Sequence, residues 1–287
     1  MGDSARASGN VNMHDAIPEL SYTHLSPPEE ANNEAQTRPP IVFLHGLSSC
    51  HLEFSRVTPF LAQDYNLYLV DLPGHSGSRN IPFTLDTAIA TVSHLITTKI
   101  PGGKAHVVSM SLGGHVALEL AYRHPDLFLS LFCTGCAPLS GFRLWFISRP
   151  RLLGGFEVLS SKVVKNEWLF WAPIGVPLYP ELRVEMQQNG SMETLKMGYG
   201  ACTEVTEDKV AEIHGVRVAI VAGGKRDDVE QTRKAGKLMG RENQECRAFV
   251  VKDAVHLWDL QLPELFAKGV RAWVERKEMP TEFEELK

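Results

Sequence analysis

The run His106-Val-Val-Ser109-Met-Ser111-Leu-Gly113-Gly114 constrains the fold more than any other stretch of the chain. Apolar residues lead into a serine with small residues two positions to either side, and the helix-forming run Val116-Ala-Leu-Glu-Leu-Ala-Tyr122 follows at once. That order reads as a buried strand turning sharply into a helix with a serine at the turn. Bulky side chains two positions away would collide where strand and helix pack closely. Gly113 meets this demand after the serine; before it stands Ser109, where the G-x-S-x-G pattern has glycine. Ser111 and Ser109 compete for the role of nucleophile. Only Ser111 has both the glycine two residues on and the helix immediately after it.

The company of this motif narrows the reading. Upstream, Pro39-Pro-Ile-Val-Phe-Leu-His45-Gly46-Leu47 reads as a buried strand entering a His-Gly turn, and Leu67-Tyr-Leu-Val-Asp71 as another, ending in the turn-rich Asp71-Leu-Pro-Gly-His-Ser-Gly-Ser78. Downstream, Val216-Arg-Val-Ala-Ile-Val-Ala-Gly223-Gly224 runs into Lys225-Arg226-Asp227-Asp228, and Cys246-Arg-Ala-Phe-Val-Val251 runs into Lys252-Asp253-Ala254-Val255-His256. These apolar runs do not alternate with polar residues, as expected of strands buried on both faces. Helical patterns separate them over residues 52–61, 85–96 and 112–122. Strand–helix alternation of this kind implies an α/β fold, with a mostly parallel sheet covered by helices on both faces.

Serine, then acid, then histidine, each at the end of a strand, is the order described for α/β-hydrolases, and the chain resembles that superfamily. The matching pieces are His45-Gly46, Asp71-Leu-Pro-Gly-His-Ser, Ser109-Met-Ser111-Leu-Gly113-Gly114, Gly224-Lys-Arg-Asp227 and His256-Leu-Trp258, spread over residues 41–274 apart from a middle segment. The resemblance implies Ser111 as nucleophile, His256 as general base and an aspartate to orient it. Of the 11 histidines, His256 follows the strand nearest the C-terminus, where the third member belongs; His106 and His115 are expected to pack or cap. For the acid, counting three residues from Gly224 gives Asp227; a different count gives Asp228, and adjacent residues cannot both face His256. The resemblance further implies two backbone N–H donors for a developing oxyanion, from Leu112 and Leu47. His45 and Asp71 are read as bracing their loops.

Residues 138–209 interrupt the alternation with Phe142, Trp145, Phe146, Phe156, Trp168, Phe170, Trp171 and Tyr179. This insertion resembles the helical cap that many α/β-hydrolases carry, which makes Trp168 and Trp171 candidate substrate contacts; for any single aromatic, a place in the core is the competing reading. The expected organisation is a polar segment 1–38, a core of 39–137 and 210–287, and the cap 138–209.

Charge and cysteines exclude other classes. With 29 basic against 34 acidic residues, the net charge of −5 presents no basic surface for nucleic acid. No apolar run approaches the length of a membrane span. Residues 1–6 carry no secretory apolar core, and Arg6 stands where a myristoylation pattern wants Ser or Thr. A cytoplasmic location is expected. Cys133-Thr-Gly-Cys136 has CxxC spacing, but no second pair or neighbouring histidines complete a zinc set, so buried filler is the reading. No metal and no cofactor are expected. The resulting expectation is a serine hydrolase cleaving a small, apolar carboxylic ester or thioester through an acyl-enzyme. Hydrolysis of a C–C bond next to a ketone, or ligand binding without catalysis, are the alternatives.

Overall fold

The computed structural model describes residues 17–26, 38–149, 176 and 178–287. Eight strands form one sheet: β1 (Tyr22–Leu25), β2 (Pro40–Leu44), β3 (Asn66–Val70), β4 (Ala105–Met110), β5 (Phe128–Thr134), β6 (Val218–Gly223), β7 (Arg247–Val251) and β8 (Phe283–Glu285). Their spatial order is β1-β3-β2-β4-β5-β6-β7-β8. Pairs from β3 through β7 are parallel, and the two edge strands are antiparallel to their neighbours.

The uninterrupted apolar runs follow from two cores, one on each face. Along β2, Val42 and Leu44 enter one apolar cluster, while Ile41 and Phe43 enter the other. Along β6, Val218, Ile220 and Ala222 face one way, Ala219 and Val221 the other. One face is covered by α1 (Leu85–Lys99) and α2 (Leu112–Arg123), the other by the C-terminal helix Pro263–Val274 through Phe266, Ala267, Val270 and Trp273. Each strand therefore has no solvated side on which to place polar residues.

One expectation shifts, and two edge strands add to the sheet. Residues 52–61 are not one α-helix but two short 3-10 helices, His51–Arg56 and Thr58–Phe60. Pro59, in the first turn of the second, supplies no N–H to a longer helix. The polar N-terminal segment adds the edge strand β1, whose Tyr22–Leu25 pair with β3 while Asp71 N–H donates to Ser21 O. The closing edge strand β8 has little apolar signal: Phe283 is its buried residue, packed on Phe249 and Trp258.

Between β5 and β6 lie three described helices that cross the C-terminal ends of the strands: α3 (Gly141–Ile147), α4 (Pro180–Asn189) and α5 (Met192–Glu204). A short helix α6 (Glu207–Ala211) returns the chain to the sheet, where Lys209 pairs with the buried Glu119 of α2 at 2.9 Å. No helix among the described residues is long and apolar enough to cross a membrane.

Candidate functional site

Parallel strands put all their C-terminal ends on one edge, and the site is assembled there. Ser111 occupies the residue between β4 and α2 with φ of 50° and ψ of −113°, a conformation that side-chain-bearing residues rarely adopt. Two neighbours hold it. Ser111 N–H donates to Thr134 O at 2.9 Å, and Gly113 N–H to His45 O at 3.0 Å. A Cβ on Gly113 would lie 2.2 Å from Leu44 O, so only glycine lets the helix start this close to β2. Ser109 is fully buried two residues earlier, and its hydroxyl takes no hydrogen-bond partner. Ser109 is not among the residues that line the cavity with Ser111.

His256 Nε2 lies 3.0 Å from Ser111 Oγ, and His256 Nδ1 lies 2.5 Å from Asp227 Oδ1. The second Asp227 oxygen accepts from Gly223 N–H at 2.7 Å, locking the carboxylate to the end of β6. Asp228 points elsewhere: its side chain accepts from Gln231 N–H and caps the helix Val229–Glu242. The ring of His256 rests on Gly135, whose φ is 64° and whose missing Cβ would sit 2.6 Å from His256 Cε1. Thr134 ties the two sides of the site together. Its carbonyl holds Ser111 N–H, and its hydroxyl accepts the indole N–H of the buried Trp258 at 2.7 Å. The role of Thr134 carries no signal in the sequence, whereas Trp258 closes the matching piece His256-Leu-Trp258.

The loop after β2 closes the other side. His45 is fully buried, with Nδ1 toward Gly46 O at 2.7 Å and Nε2 accepting from Leu72 N–H at 3.0 Å. Burial and the neighbouring His75 push its pKa down to about 3, so it spans these backbone groups as a neutral ring. Asp71 accepts from both the backbone N–H and Nδ1 of His51, each at 2.8 Å, and from Gly77 N–H at 3.1 Å. Among the described residues, the turn and cap hydrogen bonds use neither Leu47 N–H nor Leu112 N–H. Leu112 opens α2, where the helix dipole presents partial positive charge. His115 Nδ1 contacts Ser111 O at 3.0 Å, and burial lowers its pKa to about 4. His106 pairs with Ser130 Oγ at 2.7 Å, also lowered to about 4 by burial.

Ser111, His256 and Asp227 open into a cavity of about 420 Å³. Its floor comes from strand-end loops, including Leu47, Leu112 and Leu257, and its upper wall from Leu139, Ile147 and Met186. Trp168 and Trp171, the expected substrate contacts, lie outside the described residues. All five cysteines are free and buried, Cys133 and Cys136 among them. One group of metal-ligand types comes together among the described residues: Cys50, His51 and Asp71, with donor atoms within 4.8 Å of one another. His51 Nδ1 and Asp71 Oδ1 already satisfy each other there.

The comparisons agree with this architecture. The chain is 28% identical over 247 residues to an AB hydrolase superfamily protein of Gibberella zeae, a match covering 85% of this chain and 83% of that one. It is 27% identical over 248 residues to the pimeloyl-[acyl-carrier protein] methyl ester esterase of Neisseria meningitidis, covering 82% and 92%. A hydrolase from Pseudomonas aeruginosa superimposes with a TM-score of 0.67 at 17% identity, over 89% of this chain and 94% of that one. The profile of the alpha/beta hydrolase family matches residues 41–269, from the first parallel strand to the C-terminal helix, and the chain belongs to that family.

Proposed function

We propose that the chain is a serine hydrolase acting on a small, apolar carboxylic ester or thioester. The observation that carries this reading is the unbroken hydrogen-bond line Asp227–His256–Ser111 ending in the cavity. In the proposed reaction His256 Nε2 takes the Ser111 Oγ proton as the oxygen attacks the carbonyl carbon. Asp227 holds the Nδ1–H tautomer and stabilises the imidazolium that forms. The carbonyl oxygen, now negative, is received by the N–H groups of Leu47 and Leu112, aided by the N-terminus of α2. His256 then returns the proton to the leaving group. Water, activated in the same way, cleaves the acyl-enzyme.

Residues 138–209 act in this reading as the roof that selects the acyl portion, with Trp168 and Trp171 as its candidate contacts. The apolar walls contributed by Ile147 and Met186 suit an apolar group. The esterase named among the relatives supports the ester class. Five buried free thiols suit a reducing compartment, in line with the cytoplasm.

A fluorophosphonate probe, which modifies activated serines, tests the reading directly. Labelling is expected at Ser111 and should vanish in Ser111→Ala while persisting in Ser109→Ala. Modification at Ser109 would overturn the assignment. A protein that takes no label and turns over no ester would be a ligand-binding member of its family.

A further inference from the structure

At the cavity wall and just beneath it two acids are buried with no Lys or Arg beside them among the described residues. Glu53, in the first turn of the 3-10 helix His51–Arg56, is 0% exposed; Oε2 accepts from Gly46 N–H at 2.9 Å, and Oε1 takes no partner. Asp259 lies on the short helix Trp258–Gln261, which packs on that 3-10 helix. It too is 0% exposed, and neither of its oxygens takes a hydrogen bond. Facing Glu53 are Gly46 N–H, the Ser49 hydroxyl, the His256 ring and Asp259, with the Tyr179 hydroxyl also near. Facing Asp259 are Glu53 and the backbone N–H groups of Asp259 and Leu260.

The position matters because Gly46 is the spacer between this carboxyl and the reacting serine. A Cβ built on Gly46 would lie 3.5 Å from Ser111 Cβ and 3.6 Å from each Glu53 oxygen. Gly46 also precedes Leu47, whose N–H is the proposed oxyanion donor. Glu53 therefore anchors that loop from its place in the cavity wall, and any charge it bears is felt where negative charge develops.

Two buried carboxyls facing each other with no Lys or Arg between them cannot both stay ionised without a large cost. We propose that Glu53 is a positioning residue for the oxyanion loop, holding Gly46 N–H through one oxygen and working in its neutral form, so that the loop is fixed with no negative charge beside the reacting centre. Burial raises the Glu53 pKa to about 7 and holds Asp259 well above the usual carboxylate range, which agrees with this geometry. The inference rests on the serine-hydrolase reading for its catalytic meaning, but not for the state of the acid.

Two measurements on the full chain test it. Infrared difference spectra should show a protonated buried carboxyl just below neutral pH, fading as the solution becomes alkaline. Glu53→Gln should remove the component that fades. A spectrum that is the same in wild type and Glu53→Gln overturns the proposal, whether or not any ester is turned over. In ester hydrolysis, kcat of the wild type should fall on the alkaline side by roughly ten- to a hundredfold. Glu53→Gln, whose amide oxygen still accepts from Gly46 N–H, should keep kcat within a few-fold and lose that fall, with KM unchanged. Glu53→Leu should lower kcat at every pH. Should the leucine variant not fold, the glutamine profile decides alone. A Glu53→Gln variant as slow as Glu53→Leu, or one that keeps the alkaline fall, would show that the neutral acid is not what the loop uses.

Discussion

The strand ends and the helices above them are built to different standards. Every residue of β6 is buried, and Asp227 at its end has both carboxyl oxygens engaged. On α3, by contrast, no residue is buried, and Phe142 and Trp145 are 74% and 46% exposed. The lower layer holds its polar atoms in place through hydrogen bonds to the backbone of the strand ends. In the upper layer α3 offers exposed apolar surface, while α4 is pinned to the loops below through Glu185 and the buried Asn189. Chemistry that needs alignment belongs to the first, and selection by size and shape suits the second.

The sharpest way to break this comparison is at the elbow. Ser111→Ala should lower ester turnover by on the order of a million-fold, while Ser109→Ala, buried away from the cavity, should cost far less. Comparable losses in steady-state assays of the two variants would move the chemistry away from Ser111. Asp227→Asn should lower kcat by about ten-thousand-fold through loss of the histidine's tautomer and charge support. Asp228→Asn should leave turnover near normal, and replacing it with Ala should cost only about 1 kcal/mol of stability as a lost helix cap. A reversed pair of rates would make Asp228 the triad acid.

The lower layer should also carry the acid sensitivity. His45, His106 and His115 have folded pKa values of about 3, 4 and 4, below the ordinary 6.5. Between those values and 6.5 the unfolded chain binds more protons than the folded one, so stability should drop as pH falls through that window. Thermal melts at neutral pH and near the lower end should show the drop, and His106→Gln should lessen it. An unaltered pH dependence in that variant would remove His106 from the account.

Effects in the upper layer should be smaller and of another kind. Ile147→Ala or Met186→Ala should change the ratio of kcat/KM for short and long acyl esters by about tenfold without abolishing either activity. Trp168→Ala and Trp171→Ala are expected to act the same way. A uniform loss across chain lengths would place chemistry, not selection, in the roof. Smallest of all should be Ser109→Gly. With no partner for its hydroxyl, activity should stay within a few-fold, and stability should change by about 0.5–1 kcal/mol from backbone entropy. A paired melt and ester assay would reveal a larger role.

Much of the lower layer was legible because it obeys local rules. Strands buried on both faces write themselves as continuous apolar runs, and the elbow demands small residues at fixed offsets. The neighbouring aspartates were harder. Reading Asp228 as the residue just before a helix would have marked it as a cap and left Asp227 for His256. Residues 52–61 misled because their apolar spacing suits a helix of either kind, and Pro59 acts through a missing N–H that periodicity does not register. Glu53 and Asp259 were invisible. An acid in a sequence is ordinarily read as solvated, and only the packing of two distant short helices makes these two dry.

The end of β5 has a mechanical consequence. Since Thr134 grips both the Ser111 amide and the Trp258 indole, and Gly135 is the surface on which His256 lies, displacement of that strand end carries both partners of the 3.0 Å contact the same way. Breathing of the sheet is thereby converted into common motion, to which a separation is blind. A side chain at Gly135 would instead push on the ring alone and turn the same motion into misalignment.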